Sequence, residues 1–217
     1  MSAKHLSVTS EPALPLTTTR AQLLTGIALA LLMIATRGQH FASVDALPSA
    51  SWAVFFLAGA LLRPMWTLPA FFVLSSLLDF GSLANGTITD WCLSPAYWAL
   101  AFAYAALWLG GHAYRGLHRD HAGTVPRLAL TLAVTASVAY LLSKGGFYFF
   151  SGRYPEPTLD GFLARIPHYY PRALGTLAGY VGVAFLVRAC LRGLAARAAS
   201  RQGSPRRHAR TRKATPT

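Results

Sequence analysis

The chain has 217 residues, of which 53% are hydrophobic and only 12% charged, with a mean hydropathy of +0.38. A soluble domain carries about 25% charged residues, so this composition excludes a disulfide scaffold, a disordered chain and an ordinary cytosolic enzyme, and points to a chain dissolved in lipid. The net charge of +13 would suggest a nucleic-acid partner in a soluble protein. However, nine of the 20 basic residues lie between Arg188 and Lys213, in a run with no aromatic residue to stack on a base.

A polar N-terminal stretch, residues 1–19, reads as a cytoplasmic tail. The first apolar run, Ala21 to Ala35, is followed by Arg37-Gly38-Gln39-His40, which offers no signal-peptidase site, so it reads as a membrane helix. The second, Ser51 to Leu62, is closed by Arg63-Pro64. The third, Met65 to Phe80, carries Pro69 near its start, where proline is tolerated. A polar stretch with the turn signal Asn85-Gly86 precedes the fourth helix, Ala96 to Tyr114. After a basic connector, the fifth helix is expected over Leu128 to Phe150, with Lys144 and Gly145-Gly146 inside it. The proline-rich segment Ser151 to Pro171 reads as a loop, and the sixth helix as Arg172 to Leu191. The expected fold is therefore an all-α integral membrane protein, with six transmembrane helices over residues 20–192 and a basic, disordered tail over residues 193–217.

Orientation follows from the basic residues. With the N-terminus inside, Lys4, Arg20, Arg63, Arg115, Arg119, Arg127 and the tail fall on the cytoplasmic side; Arg37, Lys144, Arg153, Arg165 and Arg172 fall outside. This asymmetry favours both termini in the cytoplasm, with the basic tail against anionic lipid. The two cysteines, Cys92 and Cys190, then lie on opposite sides and form no disulfide.

The same topology gathers His40, Asp79, Cys92, Tyr97 and Arg165 at the outer end. An ionisable residue at membrane depth is a functional hypothesis by default. Each residue also has a plainer role. Asp79 caps a helix or pairs with Arg165, His40 is an interfacial anchor, and Tyr97 and Trp98 belong to an aromatic belt. One thiol, one imidazole and one carboxylate (Cys92, His40, Asp79) suit a catalytic metal, although their spacing matches no paired motif. A lone thiolate is better suited to a metal whose other positions a cofactor already fills. A cysteine nucleophile with His40 as base, or a membrane thiol oxidoreductase, is a further option, but no second cysteine stands near Cys92.

The segments Arg37-Gly38-Gln39-His40-Phe41, Ser75-Ser76-Leu77-Leu78-Asp79-Phe80 and Trp91-Cys92-Leu93-Ser94-Pro95-Ala96-Tyr97-Trp98 resemble the BtuM family. These are small bacterial vitamin B12 transporters related to the S-components of ECF-type transporters. The resemblance covers roughly residues 20–192. It implies a non-enzymatic, multi-pass inner-membrane protein of the S-component-like fold that binds cobalamin as transported substrate. Cys92 would ligate cobalt axially, with displacement of an upper ligand such as cyanide as a side activity. His40, Asp79, Tyr97 and Arg165 would surround the ligand, with His40 and Asp79 as an orienting pair. The alternative is an S-component-like transporter for another vitamin or a metal ion. S-components dock on an energising module through small residues of helix 1, for which the nearest match is Gly26-x-x-x-Ala30. The chain has no GxxxxGK[ST] and is not itself the ATPase.

Overall fold

The structure is a computed structural model that describes residues 14, 16, 18–37, 48–85, 96–118 and 123–203. All regular elements among them are helical: α1 (Thr19–Arg37), α2 (Ser51–Leu61), α3 (Thr67–Ala84), α4 (Ala96–Leu117), α5 (Thr124–Tyr140), a π-turn (Leu141–Gly145), α6 (Gly146–Phe150), α7 (Leu159–Leu163) and α8 (Ile166–Gly203). Among the described residues, four helical segments are long and apolar enough to cross a membrane: Thr19–Arg37, Thr67–Ala84, Thr124–Phe150 and Ile166–Ala195. The 11 residues of α2 rise only about 16 Å, half of a bilayer core. The 22 residues of α4 are long enough, but Gly110, Gly111, His112 and Arg115 dilute their hydropathy.

The chain divides into two units, residues 1–178 and 179–217. In the first, α2 is the core. Ten of its residues, Ser51 and Ala53 to Leu61, are buried, because the helix is apolar on every side. It packs chiefly on α4, and α4 packs in turn on α5. The α2–α4 approach is set by two glycines. A Cβ on Gly59 would collide with the Trp108 carbonyl, and one on Gly111 with the Phe56 carbonyl, so only glycine lets the backbones come this close. Each end of α2 is hydrogen-bonded by a neighbouring helix. The Ala50 amide donates to Thr36 Oγ1 (3.1 Å), while Arg115 Nη2 donates to the Gly59 and Leu62 carbonyls at 2.5 Å each. The outer faces are apolar and exposed, as at Leu24 and Leu31 of α1 and Leu130 of α5. A patch of that kind is expected where a helix meets lipid. The second unit is described by the later part of α8, where Val183, Leu186, Leu191 and Leu194 are exposed in the same way.

Three stretches differ from the sequence expectation. Ser151 to Pro171 is not one loop: Thr158 Oγ1 accepts from the Gly161 amide at 3.2 Å and caps α7, and α8 already begins at Ile166. Pro167 sits in the first turn of α8, where its missing N–H costs nothing. Pro171 lies inside the helix at the expense of one backbone bond. At the far end α8 continues to Gly203, beyond the expected stop at Leu191 and into the segment expected to be disordered, because Ala195-Ala196 and Ala198-Ala199 are strong helix formers. The fifth apolar run is helical from Thr124 but changes to π geometry at Leu141.

Candidate functional site

Helix α1 ends, α2 starts, α3 nears its end and α4 starts at one end of the first unit. A buried polar cluster ties these four helices together there. Arg37, the last residue of α1, donates from Nε to Asp79 Oδ1 (2.8 Å) and from Nη2 to Asp79 Oδ2 (2.6 Å). Its Nη1 donates to Ser51 Oγ at the start of α2 (2.8 Å) and to Tyr104 Oη on α4 (2.7 Å). Arg37 and Asp79 are only 5% and 7% exposed, so neither charge could persist there without the other. The planar guanidinium suits this role because it offers a two-pronged face to the carboxylate and has donors left over. Tyr104 is itself held by a stacked Phe55 ring, 4.2 Å away between centroids.

Tyr97 joins the cluster from the first turn of α4. Its hydroxyl lies 2.9 Å from Ser76 Oγ and 3.3 Å from Asp79 Oδ2, donating to these oxygens, and its ring packs on Phe72 and Phe80. Trp98, the next residue, is 70% exposed, as a member of an aromatic belt would be.

Two expected sites of contact are corrected. Asp79 does not cap a helix, since it lies inside α3, and it does not pair with Arg165, since Arg37 grips both its oxygens. Arg165 instead lies over the Tyr154 ring (4.7 Å) and the Tyr148 ring (5.4 Å), and Nη1 donates to Tyr154 Oη at 3.4 Å. This is a cation–π nest built on the cluster of Tyr140, Tyr148 and Phe162. Asp79 and Tyr97 are thus brought together, and no contact joins Arg165 to them among the described residues.

Arg37 is the cluster residue to which sequence reasoning gave no role at the site, although it opens one of the BtuM-like segments and was counted as an external positive charge. A signal did exist: Asp79 is the lone carboxylate of an apolar helix, and Arg37 is the cation at the same depth on a neighbouring helix. His40 and Cys92, and with them their proposed metal or cobalt ligation, lie outside the described residues. Among the described residues no three His, Cys, Asp or Glu side chains gather in a metal-binding group.

Among the described residues, fold and site together define a helical protein with four potential membrane spans and a buried arginine–carboxylate clamp at one end of its core. No model of a known protein family matches the chain, and no curated protein matches it.

Proposed function

We propose that this chain captures cobalamin at the clamp end of its helices and serves its uptake across a bacterial inner membrane. The observation that carries the proposal is the rooting of two chain segments in one clamp. The segment with His40 leaves directly from Arg37, and the segment with Cys92 is bounded by α3, which holds Asp79, and by α4, which opens with Ala96 and Tyr97. The clamp holds the residues from which both segments depart. The BtuM-like segments fall on these same residues.

The chemistry fits the assignment. A corrin supplies four equatorial nitrogens to cobalt, so the protein need offer a single axial donor. The Cys92 thiolate is a soft donor of that kind, and ligation takes its deprotonated form. A thiolate bound to cobalt would weaken the hold on an upper ligand such as cyanide, which would leave as the anion. With Asp79 engaged by Arg37 and Tyr97, these three residues support the ligand site rather than supply its reactive atom.

A groove in the first unit supports the partner part of this reading. A groove of about 400 Å3 runs between α1 and α3, lined by Gly26, Ala30, Leu62, Trp66, Ala70 and Leu74 among others. It includes the small residues through which an S-component-like protein would meet the helices of an energising module.

Accumulation of labelled cobalamin by cells deficient in its uptake tests the proposal. Cells expressing the wild-type chain should accumulate the vitamin above the empty-vector level, and Cys92→Ala should reduce it. Wild-type accumulation at the empty-vector level would overturn the proposal.

A further inference from the structure

The groove between α1 and α3 runs from the Arg63 end of the first unit towards the clamp. Its walls include Leu23, Ile27 and Ala30 of α1 and Ala70, Phe71 and Leu74 of α3. From Thr19 to Ala30 it covers about 17 Å along α1, close to the roughly 15 Å hydrocarbon depth of one bilayer leaflet. Two polar side chains that line it, Gln22 and Thr67, are already engaged within the protein. Gln22 Nε2 donates to the Leu16 carbonyl (2.8 Å), and Gln22 Oε1 accepts from the Arg63 amide (3.4 Å). Thr67 Oγ1 donates to the Pro64 carbonyl (2.8 Å) and accepts from Trp108 Nε1 (3.1 Å). What stays open is a long apolar slot of the width and chemistry of a hydrocarbon chain.

The rim at that end is basic. Arg63 stands between Leu62 and Pro64, which both line the groove, and it is exposed. Arg115 reaches the same place from α4, donating to the Leu62 carbonyl at 2.5 Å, and the Arg63 and Arg115 charges repel each other. Arg20, also exposed, adjoins Thr19 at the start of the groove. No carboxylate pairs with any of the three among the described residues. The C-terminal dipole of α2 opposes them with only about half a charge. Trp66 lines the groove at the same end and is 67% exposed, and tryptophan is enriched at headgroup level. An apolar slot, an indole at its rim and unneutralised guanidinium groups beside it complement the chain, the interfacial part and the phosphate of an anionic phospholipid.

We infer that the groove holds one acyl chain of an anionic phospholipid, with the lipid's phosphate on Arg63. The inference is independent of the cobalamin reading and concerns the chain before any partner docks. A module that met the groove would displace this lipid.

The test is native mass spectrometry of the delipidated full-length protein in detergent, offered equal amounts of phosphatidylglycerol and phosphatidylcholine with the same acyl chains. Attraction between one basic residue and anionic lipid corresponds to about five-fold in binding. The wild type should therefore retain phosphatidylglycerol at least roughly five-fold over phosphatidylcholine. Arg63→Gln should lower that preference about five-fold, and Arg63→Lys should restore it. Gly26→Leu fills the groove without a backbone collision, since a Cβ there meets only Leu62 Cδ1 at 3.9 Å. It should lower retention of both lipids alike, and Ala70→Leu, at an exposed position of the opposite wall, should do the same if Gly26→Leu does not fold. Equal retention of the two lipids by the wild type would overturn the inference. A preference unchanged in Arg63→Gln would place the phosphate elsewhere, as on the basic tail, and overturn it as well. Retention unchanged in both groove-filling variants would remove the acyl chain from the groove. A lipid-free dimer that Gly26→Leu dissociates would assign the groove to a second copy of the chain and equally overturn the inference.

Discussion

The Arg37–Asp79 clamp makes the most demanding prediction about stability. Arg37→Met removes four hydrogen bonds of 2.6–2.8 Å to residues on three other helices. It leaves a carboxylate that is 7% exposed with only the Tyr97 hydroxyl as donor among the described residues. Removing one partner of a buried pair costs about 3–5 kcal/mol, because the other charge is stranded away from water. For a chain of this size that corresponds to a fall in Tm of roughly 6–20 °C. Asp79→Leu should cost a similar amount by stranding the guanidinium. The double variant Arg37→Met/Asp79→Leu strands neither charge and should lose much less than the sum of the singles. Thermal unfolding of the detergent-solubilised protein, followed by tryptophan fluorescence, measures all four corners of the cycle. Single variants within about 1 kcal/mol of wild type, or a double variant equal to the sum, would refute the claim that these groups form one buried unit.

Other expectations follow from the same geometry. Tyr97→Phe keeps the ring packing and loses the bonds to Ser76 and Asp79, so stability should fall by about 1–2 kcal/mol in the same unfolding assay. Gly111→Val drives a side chain into the Phe56 carbonyl and should cost about 1–3 kcal/mol or abolish folding, as judged by Tm and size-exclusion profile. Gly175→Ala, where a Cβ meets nothing within 4 Å, should instead hold or raise Tm. Arg115→Met uncaps the C-terminal carbonyls of α2 at the end remote from the clamp. It should lower Tm while leaving any cobalt–thiolate spectrum unchanged.

Much of this architecture was legible in the chain, for definite reasons. Apolar runs closed by Arg63-Pro64 or opened at Ala96 gave helix positions to within a few residues, since length and hydropathy alone decide what lipid accepts. Depth along those helices also brought Asp79 and Tyr97 together. The partner of Asp79 was not legible, because which of several cations at one level is reached depends on helix neighbours and rotation rather than on depth. Pro171 misled for a related reason. Proline is read as a stop, but here it falls early in α8, where a single lost bond is tolerated. The π-turn at Leu141–Gly145 has no periodicity marker, and Ser143-Lys144 interrupt the apolar run there without announcing it. Only the pair Gly145-Gly146 hints that the backbone is closely approached there.

The central claim is cobalamin capture through the Cys92 thiolate. It is tested most directly by the visible absorption spectrum of the purified protein incubated with cobalamin, wild type beside Cys92→Ala. The account predicts a retained corrin whose spectrum is shifted in the wild type and unshifted, or lost, in Cys92→Ala. A corrin spectrum identical in the two proteins, or no retained corrin in either, would contradict it.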